Sequence, residues 1–225
     1  MAITVTTKDT TALSDAEFAE MADLCVDREP NFDIGFLSKQ SEEWVLVTHA
    51  REGNKLRGYS FCTLERIGGT PSLLVGLLLV DRNSKSDTTL KAILHDQYRR
   101  ALLAFPDEDV LLGTRLTTPD GYRAFLGLED VVPRLGYKPT GEDRAWGRRL
   151  AKRFGSEKSI DDKTFIMTAS TAGGPVGGLD YVAAKGAIPE GAATFFDSVK
   201  VDKGDRLVVF GWAMAEALAS GKLPK

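Results

Sequence analysis

The period of the hydrophobic and polar positions changes several times along the chain. Near the start, Ile3 and Val5 alternate with threonines, which is typical of a short strand. Ser14 is followed three residues later by Glu17, and apolar residues at helical spacing come next, so a helix that begins with a capping box is predicted there. The segment Asn31–Gln40 is predicted to be a loop or a short second helix.

Three predicted strands follow, joined by short turns. They are rich in β-branched and aromatic residues or apolar throughout, and they cover Trp44–Arg51, Leu56–Ile67 and Ser72–Val80. Because the turns between them are short and contain glycine, the three strands are expected to form an antiparallel meander. The last strand is continuously apolar, which indicates burial on both of its faces.

The clearest helix of the chain comes after the meander. Its apolar and aromatic residues recur at three- and four-residue spacing, which predicts one face packed on the sheet. These residues are Leu90, Ile93, Leu94, Tyr98, Ala101, Leu102 and Phe105. Pro106 is expected to end the helix, and Val110–Leu116 is predicted as the next strand. The order strand, helix, strand predicts that this strand runs parallel to the last meander strand or its neighbour.

The remaining elements are less regular. Two short helical pieces and a strand are predicted at Pro119–Leu126, Val131–Leu135 and Ala145–Leu150. After Phe154 the chain becomes polar, so a boundary is expected near residue 155 between a domain at 1–154 and a C-terminal extension at 155–225. The extension is expected to complete the sheet or to mediate oligomerisation, with a possible homodimer as the result.

Only weak patterns occur in the extension. Thr171–Gly178 (TAGGPVGG) is predicted to be a flexible linker or a glycine-rich loop. Short strands are predicted at Thr164–Thr168, Tyr181–Ala184, Thr194–Val201 and Arg206–Phe210, and a terminal helix at Ala213–Ser220.

Composition narrows the class of protein. Hydrophobic residues make up 43% of the 225 residues and charged residues 27%, a balance that can close a core. The formal net charge of −3 argues against a dedicated nucleic-acid binder. The two cysteines lack CxxC spacing, which argues against a structural zinc site and fits a reducing compartment. No signal peptide or membrane span is visible, so a soluble cytoplasmic protein with no membrane partner is expected.

Three stretches of the sequence resemble the GCN5-related N-acetyltransferase (GNAT) superfamily. They are LLVGLLLV with the turn and helix DRNSKSDTTLKAILHDQYRRAL, the strand VLLGTRL, and RLGYKPTGE, which is similar to the family's K-L-G-F motif and return strand. The resemblance covers roughly two-thirds of the chain and rests on the order and pattern of elements. It implies an α/β (α+β) fold with a mixed, mostly antiparallel central sheet flanked by helices, followed by a C-terminal α/β extension.

The resemblance also implies an activity, the transfer of an acetyl group from acetyl-CoA to an amine on a small molecule or a protein. The donor would lie along the end of the last meander strand and the beginning of the long helix, where free N–H groups suit a diphosphate. The residues implied for this role are Leu79, Val80, Lys85, Ser86, Asp87, Thr88 and Thr89.

This donor loop departs from the family pattern Arg/Gln-x-x-Gly-x-Gly/Ala. Lys85 replaces the first residue, while Thr88 and Leu90 replace small residues that let the backbone approach the diphosphate. Hydroxyl groups of the loop could contact phosphate instead. Alternatively, Ser86 or Asp87 only caps the helix.

Catalysis would need a base for the amine and an acid for the leaving sulfur. Glu65 is the first candidate base and Asp120 a secondary one. The family's acid is a tyrosine five residues before the aromatic residue of K-L-G-F, a position that Val132 occupies here, and Tyr122 is the nearest alternative phenol. Glu65 could equally be a solvated carboxylate, and Tyr122 a half-buried residue with its hydroxyl at the surface.

The sequence therefore leaves three hypotheses open. The chain is an acyl-CoA-dependent N-acyltransferase, a catalytically inactive relative that binds or assembles, or a transferase with another activated donor such as an aminoacyl carrier. The basic run Arg144–Arg153 favours the last, unless it is only a solvated face. If the strands carrying Leu79 and Arg115 separate, they can admit a pantetheine arm, whereas a closed seam filled with side chains favours the inactive relative.

Overall fold

The computed structural model describes residues 2–27, 31–155, 159–169, 176–186 and 188–224. Its centre is a ten-stranded sheet with β1 (Ile3–Asp9), β2 (Leu46–Glu52), β3 (Lys55–Ile67), β4 (Thr70–Val80), β5 (Val110–Leu116), β6 (Glu129–Val132), β7 (Ile160–Asp161), β8 (Ile166–Met167), β9 (Leu179–Asp180) and β10 (Arg206–Ala213). The helices of the described ranges that flank it are α1 (Asp15–Asp23), α2 (Ile34–Glu43), α3 (Ser86–Ala104), α4 (Gly141–Arg153) and α5 (Ala215–Ala219). The expected mixed α/β fold with a mostly antiparallel sheet is thus confirmed.

Side-chain caps start the first two helices. Ser14 accepts from the backbone N–H of Glu17, and the Glu17 carboxylate accepts from the N–H of Ser14, so the predicted capping box is confirmed. Asp33 begins α2 in a similar way by accepting from the N–H of Phe36 at 2.7 Å. The segment that the sequence left open as a loop or a helix therefore contains a helix.

The predicted meander is confirmed, with β2, β3 and β4 paired antiparallel in sequence order. A bulge interrupts β4 at Gly76, since Phe61 faces Leu77 and Cys62 faces Val75. The Trp44 indole lies directly on this bulge, and a Cβ at residue 76 would fall 1.8 Å from the ring. Only glycine fits here, because the indole occupies the space that any side chain needs.

The helix α3 buries the face predicted from its periodicity and packs on β1 to β4. Lys85 is its N-cap residue, so neither Ser86 nor Asp87 caps it. The strand β5 runs parallel to β4 over Ser72–Val75 and Leu111–Thr114, as the strand-helix-strand order predicts.

The extension contributes strands to the same sheet. β10 pairs antiparallel with β5, and β8 and β7 continue the sheet beyond it. The two-residue strand β9 lies between β4 and β5 and runs parallel to both. The sheet order is β1-β2-β3-β4-β9-β5-β10-β8-β7, with β6 also paired to β10.

Two predictions in the middle of the chain are wrong. The strand predicted at Ala145–Leu150 lies inside α4, because Thr140 and Asp143 form a capping box that starts a helix. The helical piece predicted at Val131–Leu135 instead contains the end of β6, where Val132 pairs with Phe210 of β10. Pairing with a distant strand overrides local propensity at this point.

Two weak predictions in the extension are also wrong. Thr194–Val201, predicted as a strand, holds parts of two short 3₁₀ helices, at Ala193–Phe196 and Val201–Lys203. The strand expected at Tyr181–Ala184 is instead the preceding pair Leu179–Asp180, because its hydrogen-bond partners lie on β4 and β5. Among the helices that the structure describes, none is both long and apolar enough to cross a bilayer.

Candidate functional site at the gap between β4 and β5

The candidate site is the gap where β4 and β5 separate. The two strands pair directly only up to Val75 and Thr114, and beyond this point β9 lies between them. The N–H of Leu78 donates to the carbonyl of Gly178 at 3.0 Å. On the other side, the N–H of Thr117 donates to the carbonyl of Leu179 at 3.3 Å. The strands therefore separate, and the main chain of the extension fills the gap.

We call residues 176–184 the inserted segment. At its far end the segment covers the first turn of α3. The Tyr181 hydroxyl donates to the Asp87 carboxylate, which also accepts from the N–H of Ala184 at 3.1 Å. Ser86 donates its hydroxyl to the carbonyl of Val182 at 3.0 Å. The helix start that the sequence assigned to a diphosphate thus contacts the protein's own chain.

The Asp87 carboxyl and the Tyr181 phenol, which form this contact, both have shifted pKa values. Burial works against ionisation of Asp87, but the hydrogen bonds from Tyr181 and from the N–H of Ala184 outweigh it and lower the pKa of this carboxyl. Burial, followed by the hydrogen bond to Asp87, raises the pKa of the Tyr181 phenol. At neutral pH the pair is therefore a phenol donating to a carboxylate, a charge-assisted hydrogen bond.

Two glycines let the segment enter the gap. A Cβ at Gly177 would lie 2.8 Å from the carbonyl oxygen of Gly76, and one at Gly178 would lie 2.8 Å from the carbonyl oxygen of Arg115. Main chain touches main chain at both places, so no side chain can be accommodated without a shift. Residues 171–175 of the predicted glycine-rich loop lie outside the described residues, but its last two glycines have this steric role.

The Arg115 side chain lies beside Gly76 and Gly177, where the inserted segment enters the gap. Its guanidinium donates to the carbonyl of Gly76 at 3.0 Å and stacks on the Phe154 ring at 4.6 Å. Burial, and then the nearby Arg206, lower the pKa of Arg115 to about 10. A buried cation therefore borders the gap at the β4 bulge.

Two side chains anchor the inserted segment. Leu179 and Tyr181 are each only 1% exposed. Burying an apolar or aromatic side chain of this size contributes about 2 kcal/mol. Thr117 and Thr118 add hydroxyl hydrogen bonds to the carbonyls of Leu179 and Tyr181. The inserted segment is thus held by two buried side chains and by side-chain hydrogen bonds to its carbonyls.

The other implied donor residues have partners of their own. Lys85 contacts the Glu52 carboxylate, and Thr89 donates its hydroxyl to the carbonyl of Lys85 at 3.0 Å. Leu79 and Val80 are buried in β4, opposite Tyr59 and Gly58 of β3. Thr88 is exposed on the first turn of α3. Among the residues implied as a donor site, Ser86 and Asp87 are the two whose side chains bond to the inserted segment.

One of the three catalytic candidates lies at the inserted segment. The Asp120 carboxylate accepts from the N–H of Ala183 at 3.2 Å. Glu65 lies opposite Ser72, where β4 and β5 are still paired, and its carboxylate accepts from Arg153 Nε at 2.7 Å. The structure therefore brings Asp120, but not Glu65, to the gap.

Tyr122 is buried and is held by contacts of its hydroxyl and of its ring. Its hydroxyl donates to the carbonyl of Pro133 at 3.2 Å, and its ring stacks on Phe195 of the extension at 5.8 Å. Burial raises the pKa of its phenol strongly, which makes it a poor proton donor at neutral pH. In this conformation Tyr122 joins the domain to the extension.

The basic run belongs to α4, and much of its charge is already paired. Arg148 contacts the Asp162 carboxylate, and Arg153 bonds to Glu65. Arg149 stacks on Trp146 at 4.9 Å. These contacts favour a solvated, partly neutralised helix face over a phosphate-binding surface. Within the described ranges, no cluster of three histidine, cysteine or acidic side chains could hold a metal ion.

A small cavity remains beside the first turn of α3. It has a volume of about 230 Å³ and is lined by Arg82, Asn83 and Ser86 together with residues 182–184 of the inserted segment. Arg82 also contacts the buried Asp180 carboxylate at 3.4 Å. One wall of this cavity is therefore the inserted segment itself.

Two solved structures are similar to this fold. An aminoglycoside acetyltransferase from an uncultured soil metagenomic sample, in complex with sisomicin, shares 19% identity over 49% of this chain and 76% of its own, with a TM-score of 0.36. Escherichia coli ElaA shares 15% identity over 62% of this chain and 94% of its own, with a TM-score of 0.37. Neither the protein-family models nor the curated proteins gave a match.

Proposed function

We propose that this protein is an acyl-CoA-dependent N-acyltransferase whose donor gap is closed, in the conformation described, by residues 176–184. One observation above all supports this proposal. β4 and β5 separate beyond Val75, and the gap accepts an extended backbone that bonds to both edges. The pantetheine arm of CoA is also an extended chain with amide donors and acceptors, so it can satisfy the same groups.

The chain offers suitable groups along this path. The N–H groups of Leu78 and Thr117 face the gap and would donate to amide carbonyls of the arm. The first turn of α3 would face the diphosphate, with hydroxyls from Ser86 and Thr88 nearby. Lys85 at the N-cap is paired with the Glu52 carboxylate and would have to leave it to contact the diphosphate. These are the residues that the sequence resemblance implies for the donor.

In the transfer step the amine nitrogen attacks the thioester carbonyl carbon. A C–N bond forms and the C–S bond breaks, the proton that the amine loses goes to a solvent water, and the thiolate of CoA takes a proton from water as it leaves. Asp120 is not assigned as the base, because it bonds to Ala183 beside the contact of Asp87 with Ala184 at the start of α3, which is the end of the path proposed for the diphosphate. We assign no role in this step to Glu65 or Tyr122, since their contacts hold them elsewhere.

The test is acetyl-CoA binding to a protein whose gap has been opened. Gly178→Val alters only the inserted segment, and its side chain would collide with the carbonyl of Arg115. We expect calorimetry to show a dissociation constant in the micromolar range, roughly −8 kcal/mol. We also expect thiol release with a panel of small amines. No binding by this variant, once hydrogen exchange shows that the amides of Leu78 and Thr117 are exposed, would contradict the proposal.

A second function is a non-catalytic GNAT-like binding or assembly protein. It is favoured by the structural contacts of Glu65 and Tyr122, which leave two of the three catalytic candidates without a catalytic arrangement. Thiol release separates the two functions, because a non-catalytic protein with an opened gap releases no CoA thiol from acetyl-CoA and an amine, whether or not it binds acetyl-CoA.

A further inference from the structure

We propose that residues 176–184 are a built-in competitor of the acyl donor, an intramolecular strand that must leave the gap before acyl-CoA can bind. This inference rests on the proposed function. It adds regulation of the same site, because the affinity of the protein for its donor would be set by how firmly its own chain holds the gap.

The inserted segment follows the whole path that a donor would need. It passes the β4 bulge with Gly177, bonds to Leu78 through Gly178, and reaches Asp87 with Tyr181. The gap and the helix start are therefore occupied together. A donor arm and the segment cannot be present at once, because both would need the N–H groups of Leu78 and Thr117.

The way in which the segment binds also points to competition. Main-chain carbonyls fill the gap, and Gly177 and Gly178 contribute no side chain. Leu179 and Tyr181 extend from the same backbone into the core, so main chain fills the gap while side chains hold the segment. An extended backbone of this kind has the shape and the amide groups of the pantetheine arm that the gap is proposed to take.

Release of the segment would also free two carboxylates near the start of α3. Asp120 is held by the N–H of Ala183, and Asp87 by Tyr181 and Ala184. Departure of the segment therefore changes donor access and the surroundings of Asp120 in one event. Donor affinity is reduced by the fraction of molecules in which the gap is closed, so weakening the segment should strengthen donor binding.

Two independent sets of variants test this inference on the full chain. Gly178→Val displaces the segment by collision, while Leu179→Ala with Tyr181→Phe removes its anchors. Leu218→Ala serves as the matched control, because Leu218 is buried in α5, away from the gap. Acetyl-CoA binding is measured by calorimetry, and hydrogen exchange reports on the amides of Leu78 and Thr117.

We expect both gap variants to bind acetyl-CoA about tenfold or more tightly than the unchanged protein and the control. A synthetic peptide with the sequence of residues 176–184 should then compete with acetyl-CoA for these variants. A matched peptide with aspartate at the leucine position should not compete.

Two results would count against these proposals, and each overturns a different one. If the unchanged protein binds acetyl-CoA as tightly as the opened variants, the competitor inference is overturned and the proposed function stands. If the opened variants show exposed Leu78 and Thr117 amides but bind no acetyl-CoA, the proposed function is overturned. The competitor inference, which rests on that function, then fails with it.

Discussion

The main-chain N–H of Leu78 donates to the carbonyl of Gly178 at 3.0 Å, across a gap that the strands β4 and β5 leave open. This bond joins β4 to the inserted segment, 100 residues further along the chain. An amide that a donor arm would need is thereby used by the chain itself. The main functional question for this protein is whether that bond can open.

The first prediction concerns the stability that the inserted segment provides. Leu179→Ala removes a side chain that is 1% exposed, and we expect the free energy of unfolding to fall by about 2–5 kcal/mol. Urea denaturation followed by circular dichroism measures this change. As a control, Leu103→Ala alters a leucine that is 70% exposed and should change stability by less than about 0.5 kcal/mol. Equal effects of the two substitutions would show that Leu179 does not anchor the sheet.

The second prediction concerns the β4 bulge. Gly76→Ala would place a Cβ 1.8 Å from the Trp44 indole, so we expect a loss of about 3 kcal/mol or more in the free energy of unfolding. Gly141→Ala is the matched control, because a Cβ there meets nothing within 4 Å. Thermal unfolding distinguishes the two. A stable Gly76→Ala protein with unchanged Trp44 fluorescence would mean that the indole does not cover the bulge.

A third prediction follows from the burial of His49. Burial lowers the pKa of this histidine in the folded state, although Glu17, 3.7 Å away, opposes the shift. The unfolded chain takes up the proton near the ordinary pKa of about 6.5. The contribution of the neutral His49 to the free energy of unfolding is therefore fully present above that pH, and it decreases as the pH falls below it.

Urea titrations between about pH 7.5 and pH 5 measure this dependence. We expect the unchanged protein to lose more free energy of unfolding over this range than a His49→Gln variant does. Lys8, Glu20 and Arg51 also act on His49, so the difference between the two proteins isolates the histidine. Parallel curves would contradict the assignment of a buried neutral imidazole.

The fourth prediction concerns the effects of substitutions at two of the catalytic candidates, Tyr122 and Asp120. Tyr122→Phe removes one buried hydrogen bond to Pro133 and should cost about 1 kcal/mol of stability. It should leave acyl transfer by the opened Gly178→Val protein unchanged. Asp120→Asn in the same background should also leave the rate constant at saturation unchanged, because Asp120 lies at the diphosphate end of the gap. A large loss of rate in Tyr122→Phe would restore the tyrosine as the acid.

Local signals in the sequence were sufficient for much of the fold. The Ser14 and Glu17 capping box, the meander and the periodicity of α3 each rest on residues close together in the chain. The strand Val110–Leu116 has the predicted bounds because it is short, apolar and preceded by a helix-ending proline. The capping box of Thr140 and Asp143 was an available signal that would have identified α4.

The candidate site could not be predicted in the same way. β9 is only Leu179–Asp180, and it is a strand because β4 and β5 supply its partners. No periodicity exists in two residues. The contacts of Asp120 with Ala183 and of Asp87 with Tyr181 likewise join positions far apart in the chain. The glycines of the loop were visible, but their close approach to Gly76 and Arg115 follows only from the assembled sheet.

Acetyl-CoA titration of the unchanged protein beside Gly178→Val, with hydrogen exchange at Leu78 and Thr117, decides whether the gap between β4 and β5 takes an acyl donor. We expect weak binding and protected amides in the unchanged protein. In the variant we expect micromolar binding, with amides that are exposed until acetyl-CoA protects them again. A variant that exposes both amides and still binds no acetyl-CoA would show that the gap is not a donor site.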